Sequence, residues 1–242
     1  MKNLQPIILT SLFLVTLVSC DHIFVHERGN GIIVSENRKV DKFTQIQFSG
    51  VYQVILKAGD RPNIEVETDE NLQEYIEVDQ HGKRVIVTTT DRIRSREGIK
   101  VYVTYTDLNN IEIGGVATIE SDGPIVTDIL ELEISGAGSV DLEIEAQELD
   151  LRVSGASAIQ LRGQVNELII RMSGAGDIEA YDLVSKYCKI TLSGIGSAEI
   201  YVEDELEASI SGVGGISYRG NPNKVRDNVS GLGRISDRSR NF

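Results

Sequence analysis

The chain has 242 residues, with 24 Lys and Arg against 37 Asp and Glu and a net charge of −13. That balance excludes a nucleic-acid binder, which needs a basic face to neutralise phosphates, and disfavours electrostatic attachment to anionic membranes. The 23 Gly, only 4 Pro, no Trp and many runs of Val and Ile predict an all-β domain with frequent tight turns.

The first element is a processing segment. Lys2 precedes a mostly apolar run from Leu4 to Val18, too short for a comfortable transmembrane helix. It ends in Leu17-Val18-Ser19-Cys20, which resembles a bacterial lipobox. That resemblance implies a signal peptide over 1–19, a diacylglycerol on Cys20 and a tether over 20–30. An ordinary secretory signal that contains a Cys is the alternative. With Cys20 lipidated, Cys188 has no disulfide partner in the chain.

Residues 31–113 form an N-terminal β region. A first Ser-Gly corner lies in "IQFSGVYQVIL" at Ser49. The strand-like runs "PNIEVETD", "EYIEVDQ", "KRVIVTTT" and "IKVYVTY" come next without repeating, with a short helical turn at "ENLQEY" and a hairpin turn at His81-Gly82-Lys83. This pattern predicts an antiparallel β cap or insertion that shields the end of the stack formed by the C-terminal half.

Residues 114–237 are a repeat. Tetrads of the Ser-Gly type begin at Ser135, Ser154, Ser173, Ser193, Ser211 and Ser230, with spacings of 19, 19, 20, 18 and 19, and a degenerate copy starts at Gly114. Around each Ser, apolar residues recur at fixed offsets. Five before stand Leu130, Leu149, Leu168, Cys188, Leu206 and Val225; one before stand Ile134, Val153, Met172, Leu192, Ile210 and Val229; five after stand Val140, Ile159, Ile178, Ala198, Ile216 and Ile235. Alternation with period two on both sides of the corner means two short strands per unit. A unit of this length cannot bury its own apolar face, but stacked copies can. The fold is therefore read as a β-solenoid, a single-stranded-type β-helix of ~19-residue coils. Seven coils from Gly114 would make a rod about 30 Å long. The Leu column makes Cys188 a buried small hydrophobe. The third tetrad position (Ala137, Ala156, Ala175, Ile195, Val213, Leu232) is expected to plug the corner of the core. The preceding Ser is expected to bond local amides. The last unit places Asp227 and Asp237 at inward columns and adds Lys224, Arg226, Arg234, Arg238 and Arg240, charges that discourage end-to-end stacking. Residues 238–242 form a tail.

The lipobox, "FSGVYQVILKAG" (Phe48 to Gly59), "VETDENL" (Val66 to Leu72), "KVYVTYTDLNNIEI" (Lys100 to Ile113) and the run of S-G-x-G units together resemble the head GIN domain family of auto-transporter adhesins, over roughly residues 31–237. The resemblance implies a β-solenoid-like fold and a place in the cell envelope, often as an outer-membrane lipoprotein on the periplasmic side or the surface. It brings no catalytic residues. Many relatives carry Asp after S-G-x-G; here that position holds Ser139, Ala158, Asp177, Ser197, Gly215 and Arg234, so no shared acidic site transfers.

The glycines themselves carry no ligand chemistry. A phosphate loop needs a Lys that no copy has, and the dinucleotide fingerprint fails at its third Gly, where Asp141, Glu179, Glu199 and Ser217 stand. Repeat-type calcium sites need an Asp at the sixth position, which here is the apolar Val140 column. No metal, no cofactor and no catalytic residue is assigned. His22, His26 and His81 lie outside the repeats and lack metal-ligand spacing.

Functional residues are expected on outward columns. One reads Glu143, Arg162, Tyr181, Tyr201, Arg219; another reads Glu133, Arg152, Arg171. Together Arg152, Arg162, Arg171, Tyr181, Tyr201 and Arg219 form the candidate binding face, able to stack on and hydrogen-bond a glycan or an envelope protein. Glu133 beside Arg152 would attract, and Arg152 beside Arg171 would repel. The expected function is non-enzymatic: an envelope lipoprotein, attached to the membrane through its anchor, that displays a β-solenoid for adhesion or for glycan or protein binding, with no nucleic-acid partner. The alternative is a polysaccharide-active enzyme on a β-helix scaffold, which would need grouped carboxylates and a base. The sequence leaves the ligand and the oligomeric state open.

Overall fold

Each apolar column of the sequence becomes a ladder across parallel strands. The computed structural model describes residues 27–239, so the processing segment, Cys20 and most of the tether lie outside the described residues. Strands make up 73% of the structure and helix 3%, in about seven turns of ~19-residue coils. No helix among the described residues is long and apolar enough to cross a membrane.

The strands run in chain order as β1 (Glu27–Arg28), β2 (Ile33–Arg38), β3 (Gln45–Ser49), β4 (Val51–Ala58), β5 (Asn63–Asp69), β6 (Ile76–His81), β7 (Arg84–Thr89), β8 (Ile93–Arg94) and β9 (Lys100–Tyr105). Then come β10 (Asn110–Ile113), β11 (Val116–Asp122), β12 (Ile125–Ile134), β13 (Ala137–Val153), β14 (Ala156–Met172), β15 (Ala175–Leu192), β16 (Ile195–Ile210), β17 (Val213–Arg219), β18 (Lys224–Val229) and β19 (Leu232–Asp237). A 3₁₀ turn, Glu70–Tyr75, lies where "ENLQEY" predicts it.

From β12 to β16 the register is parallel and set by the repeat. Leu130, Leu149, Leu168, Cys188 and Leu206 stand one above another, each at most 3% exposed. Burying such ladders outweighs the ordering of a short coil that has no core of its own. The coil is not two short strands. β13 to β16 each run 16–18 residues, from one Ser-Gly pair to the next.

That pair turns the chain without resetting the pleat, which overturns the expected corner plug. Alternation continues through the tetrad, so the third position points outward. Val51, Val116, Ile195, Val213 and Leu232 are 65, 49, 63, 46 and 79% exposed. The fourth position faces inward instead: Tyr52, Ala117 and Ser157 are buried there. The Gly after each Ser serves close backbone approach. A Cβ on Gly155 would lie 1.6 Å from the Gly136 carbonyl oxygen, and one on Gly174 would lie 1.9 Å from that of Gly155. The Ser hydroxyl, expected to bond an amide, donates to a carbonyl of the neighbouring coil, as Ser135 Oγ does to Ile113 O at 3.3 Å.

The N-terminal region departs most from the expected plan. The 31–113 segment does contain the antiparallel cap: β5 pairs antiparallel with β2 and β9, and β6 with β7. Yet β7 and β9 also pair in parallel with β3 and β4, which pair in parallel with β10 and β11. Residues 84–105 are thus a rung of the stack, placed beyond the Ser49 coil although they come after it in sequence. The short β1–β8 pair fastens residue 27 to this same end.

Candidate binding surfaces

The long strands hold the outward side chains at fixed heights, and the six predicted residues fall on two sides of the Ser-Gly corner, not on one face. Ahead of the corner, Arg152 and Arg171 are register neighbours on β13 and β14. The expected repulsion is relieved by Asp150, which accepts from Arg171 Nη1 at 2.7 Å and also pairs with Arg152. Asp150 is only 7% exposed, so both guanidinium groups meet a carboxylate largely sheltered from water. Glu133 is the register neighbour of Arg152, as expected.

Beyond the corner, Arg162 ion-pairs with Asp141 on the neighbouring coil. Tyr201 and Arg219 are register neighbours, as the column requires. Tyr181 is not in that column. The pairing slips between Gln160 and Arg162, so Arg162 faces Asp182, and it slips again past Ala180, so Tyr201 faces Val184. The 20-residue spacing between Ser173 and Ser193 inserts one residue here, as a bulge does. Tyr181 is nonetheless recovered by Arg219, whose guanidinium carbon lies 3.8 Å from the ring centroid.

A third surface was not singled out by the columns. Ten to thirteen residues after Ser135, Ser154, Ser173 and Ser193, the coils line an open groove of about 960 Å³ together with residues 107, 109 and 126–129. Gln147, Gln164 and Asn166 line it, joined by Asn109, the carboxylates Asp107, Asp128, Glu145 and Glu203, and Lys186. Gln147 accepts a hydrogen bond from the Asn166 side chain, an amide ladder between coils. Val126 and Ile129, 66 and 49% exposed, lie at one end. The available signal was the recurrence of Gln147 and Asn166 twelve residues after Ser135 and Ser154.

Among the described residues no three acidic, His or Cys side chains converge as a metal-ligand set. Of the carboxylates in the groove, Asp128 and Glu145 lie on the directly paired strands β12 and β13, whereas Glu145 and Glu203 are three rungs apart, roughly 14 Å at strand spacing. Cys188 is buried, and burial pushes its thiol well above the usual range, the environment of a structural cysteine.

The profile of the family described as "Putative auto-transporter adhesin, head GIN domain" matches residues 42–222. No curated protein matches the chain. Among solved structures, a putative adhesin from Bacteroides fragilis NCTC 9343 is 22% identical, with a TM-score of 0.84 over 87% of this chain and 99% of that one. A putative adhesin from Parabacteroides merdae ATCC 43184 is 25% identical, with a TM-score of 0.66 over 88% of this chain and 98% of that one. A protein named a putative lipid binding protein, from Parabacteroides distasonis ATCC 8503, is 21% identical, with a TM-score of 0.69 over 88% and 99%. The fold is therefore shared along nearly the whole length of these chains. With the profile spanning both the rearranged N-terminal coil and the Ser-Gly repeats, the chain belongs to the head GIN domain family.

Proposed function

We propose that this chain is a non-enzymatic binding module of the cell envelope, held to the outer membrane by a diacylglycerol on Cys20 and displaying its solenoid for adhesion to a glycan or an envelope protein. The observation that carries the binding reading is the amide-lined groove. Gln147, Gln164, Asn166 and Asn109 offer donors and acceptors in equal measure, as sugar hydroxyls require, and Val126 and Ile129 offer an apolar patch for a ring face. Its carboxylates favour a neutral ligand over an acidic one. The family description and the adhesin names of two solved relatives support an adhesive role in the envelope. Lys2, the apolar run and Cys20 support the anchor.

A glycan array and an envelope pull-down with the full chain test the groove. Gln147→Ala with Asn166→Ala is expected to weaken retention at least tenfold. Unchanged retention removes the groove, and release of shortened sugars would replace the binding reading with the polysaccharide-active one. Mass spectrometry of the mature N-terminus tests the anchor: diacylglyceryl Cys20 is expected, and an unmodified Cys20 rejects it.

A further inference from the structure

The two ends of the stack are built differently. At the first rung, β7 and β9 are covered by β6 and β5. At the last rung, β18 pairs with β16 and β19 with β17, and no described strand pairs with their outer edges. All six residues of β18 are exposed. Val225 and Val229 continue inward columns that are fully buried one coil earlier, yet they are 39 and 43% exposed. This end therefore presents free backbone donors and acceptors beside uncovered apolar side chains, the two things a further strand would satisfy.

The charges define that strand. Residues 114–217 hold 19 acidic and 5 basic residues, whereas residues 218–242 hold 6 basic and 2 acidic ones. On one outward ladder the sign alternates: Lys189 pairs with Glu207 at 2.8 Å, and Arg226 stands in register above Glu207. One column over, Lys224 and Arg226 both pair with the single carboxylate of Glu205. The ladder stops on cations, so the next rung that continues the alternation is acidic. Asp227 lies between Val225 and Val229 in the inward Ala208 column, so a covering strand must set a hydroxyl or other donor opposite it.

We propose that the β18–β19 end of the solenoid is a strand-addition site for an extended acidic segment of a partner protein, apolar at alternate positions and with a Ser or Thr facing Asp227. A second copy of this chain fits the end poorly. Meeting tail to tail it would oppose Lys224, Arg226 and Arg234 with the same cations, and meeting head to tail it would meet the antiparallel cap strands β2 and β6 in place of a parallel rung. The segment outside the structure enters at residue 27, beside the first rung, so an anchored chain would hold this open end farthest from its tether.

The test uses the full chain and ten-residue peptides alternating Glu with Val, Thr and Val. The acidic peptide is expected to bind and to slow amide hydrogen exchange across 224–229, while a Lys-for-Glu peptide is not. Lys224→Glu with Arg226→Glu, checked for folding by circular dichroism, is expected to lower affinity for the acidic peptide at least tenfold and raise it for the basic one. A peptide N-methylated on its pairing amides is expected to fail. Equal binding of the N-methylated peptide, no charge preference, or a tail-to-tail dimer that already protects 224–229 overturns the proposal. Loss of groove ligands in the Gln147 and Asn166 variants leaves this result untouched, so the two surfaces fail separately.

Discussion

The guanidinium carbon of Arg219 sits 3.8 Å from the centre of the Tyr181 ring, although Tyr181 is on β15, Arg219 is on β17, and Tyr201 on β16 is the register neighbour of Arg219. The extra residue in the 173–192 coil slips Tyr181 off its column and leaves its ring face open to a cation from two coils away. Such a contact is worth about 0.5–1 kcal/mol at a half-exposed site. A double-mutant cycle of Tyr181→Leu and Arg219→Gln, read by denaturant unfolding, is expected to show coupling of about that size. Tyr201→Leu with Arg219→Gln, a pair joined by register and lacking the stacked contact, is expected to show less.

The repeat was legible in the sequence because the physics is local to each coil. An apolar residue five before Ser must be buried whichever coil it belongs to, so Leu130 to Leu206 could be stacked without a structure. Two things were not local. The Ser49 coil and the 84–105 rung exchange order because strand pairing obeys space and not sequence, and nothing in "KRVIVTTT" or "IKVYVTY" distinguishes a rung from a cap strand. The slip at Tyr181 was hinted by the 20 and 18 spacings, but a spacing does not say which residue is extruded. The third tetrad position departs from its apolar character for another reason. Period two, carried through the corner, puts Ala137 and Ile195 outside, and small or apolar character alone wrongly suggested the core.

The glycine ladder should be intolerant where the backbones touch and tolerant elsewhere. Gly155→Ala would drive a Cβ to 1.6 Å from the Gly136 carbonyl oxygen, a rigid atom with coils above and below. A loss of about 3 kcal/mol or more is expected. Gly215, whose Cβ would meet its nearest atom, Arg234 O, at 3.5 Å, should accept Ala within about 0.5 kcal/mol. Thermal unfolding of the two variants checks this. Equal tolerance would show that the coils can part at the corner.

Tyr52 joins the Ser49 coil to the rung beyond it through Thr89, with Oη and Oγ1 2.8 Å apart. Burial pushes its phenol up to about 12, and the Thr89 bond lowers it only partly. The unfolded chain ionises near 10. Its contribution is therefore fully present below pH 10 and is lost as pH rises from there to about 12, because the unfolded state releases its proton first. At pH 7, Tyr52→Phe should be about 1 kcal/mol less stable, since Thr89 loses its partner. Above pH 11 the order of stability should invert. Urea midpoints of both chains across that range test the crossing; Tyr105, also raised to about 12 by burial, is common to both and cancels.

Asp150 is the hinge of the Arg152–Arg171 surface. Its carboxylate, with a side chain 10% exposed, serves two guanidinium groups 45 and 51% exposed. Removing the charge leaves two register neighbours of like sign one rung apart, with no anion between them. Because both cations are half in solvent, screening limits the penalty, and Asp150→Asn should cost about 1–2 kcal/mol at low salt. Two features separate this from simple loss of packing. Raising the ionic strength to about 1 M, where screening acts within about 3 Å, should shrink the difference. Adding Arg171→Thr, the residue type found one coil later at Thr191, should recover most of it, because the repulsion needs both cations. A penalty independent of salt and unrelieved by Arg171→Thr would place the role of Asp150 in packing the strand and not in holding the charges.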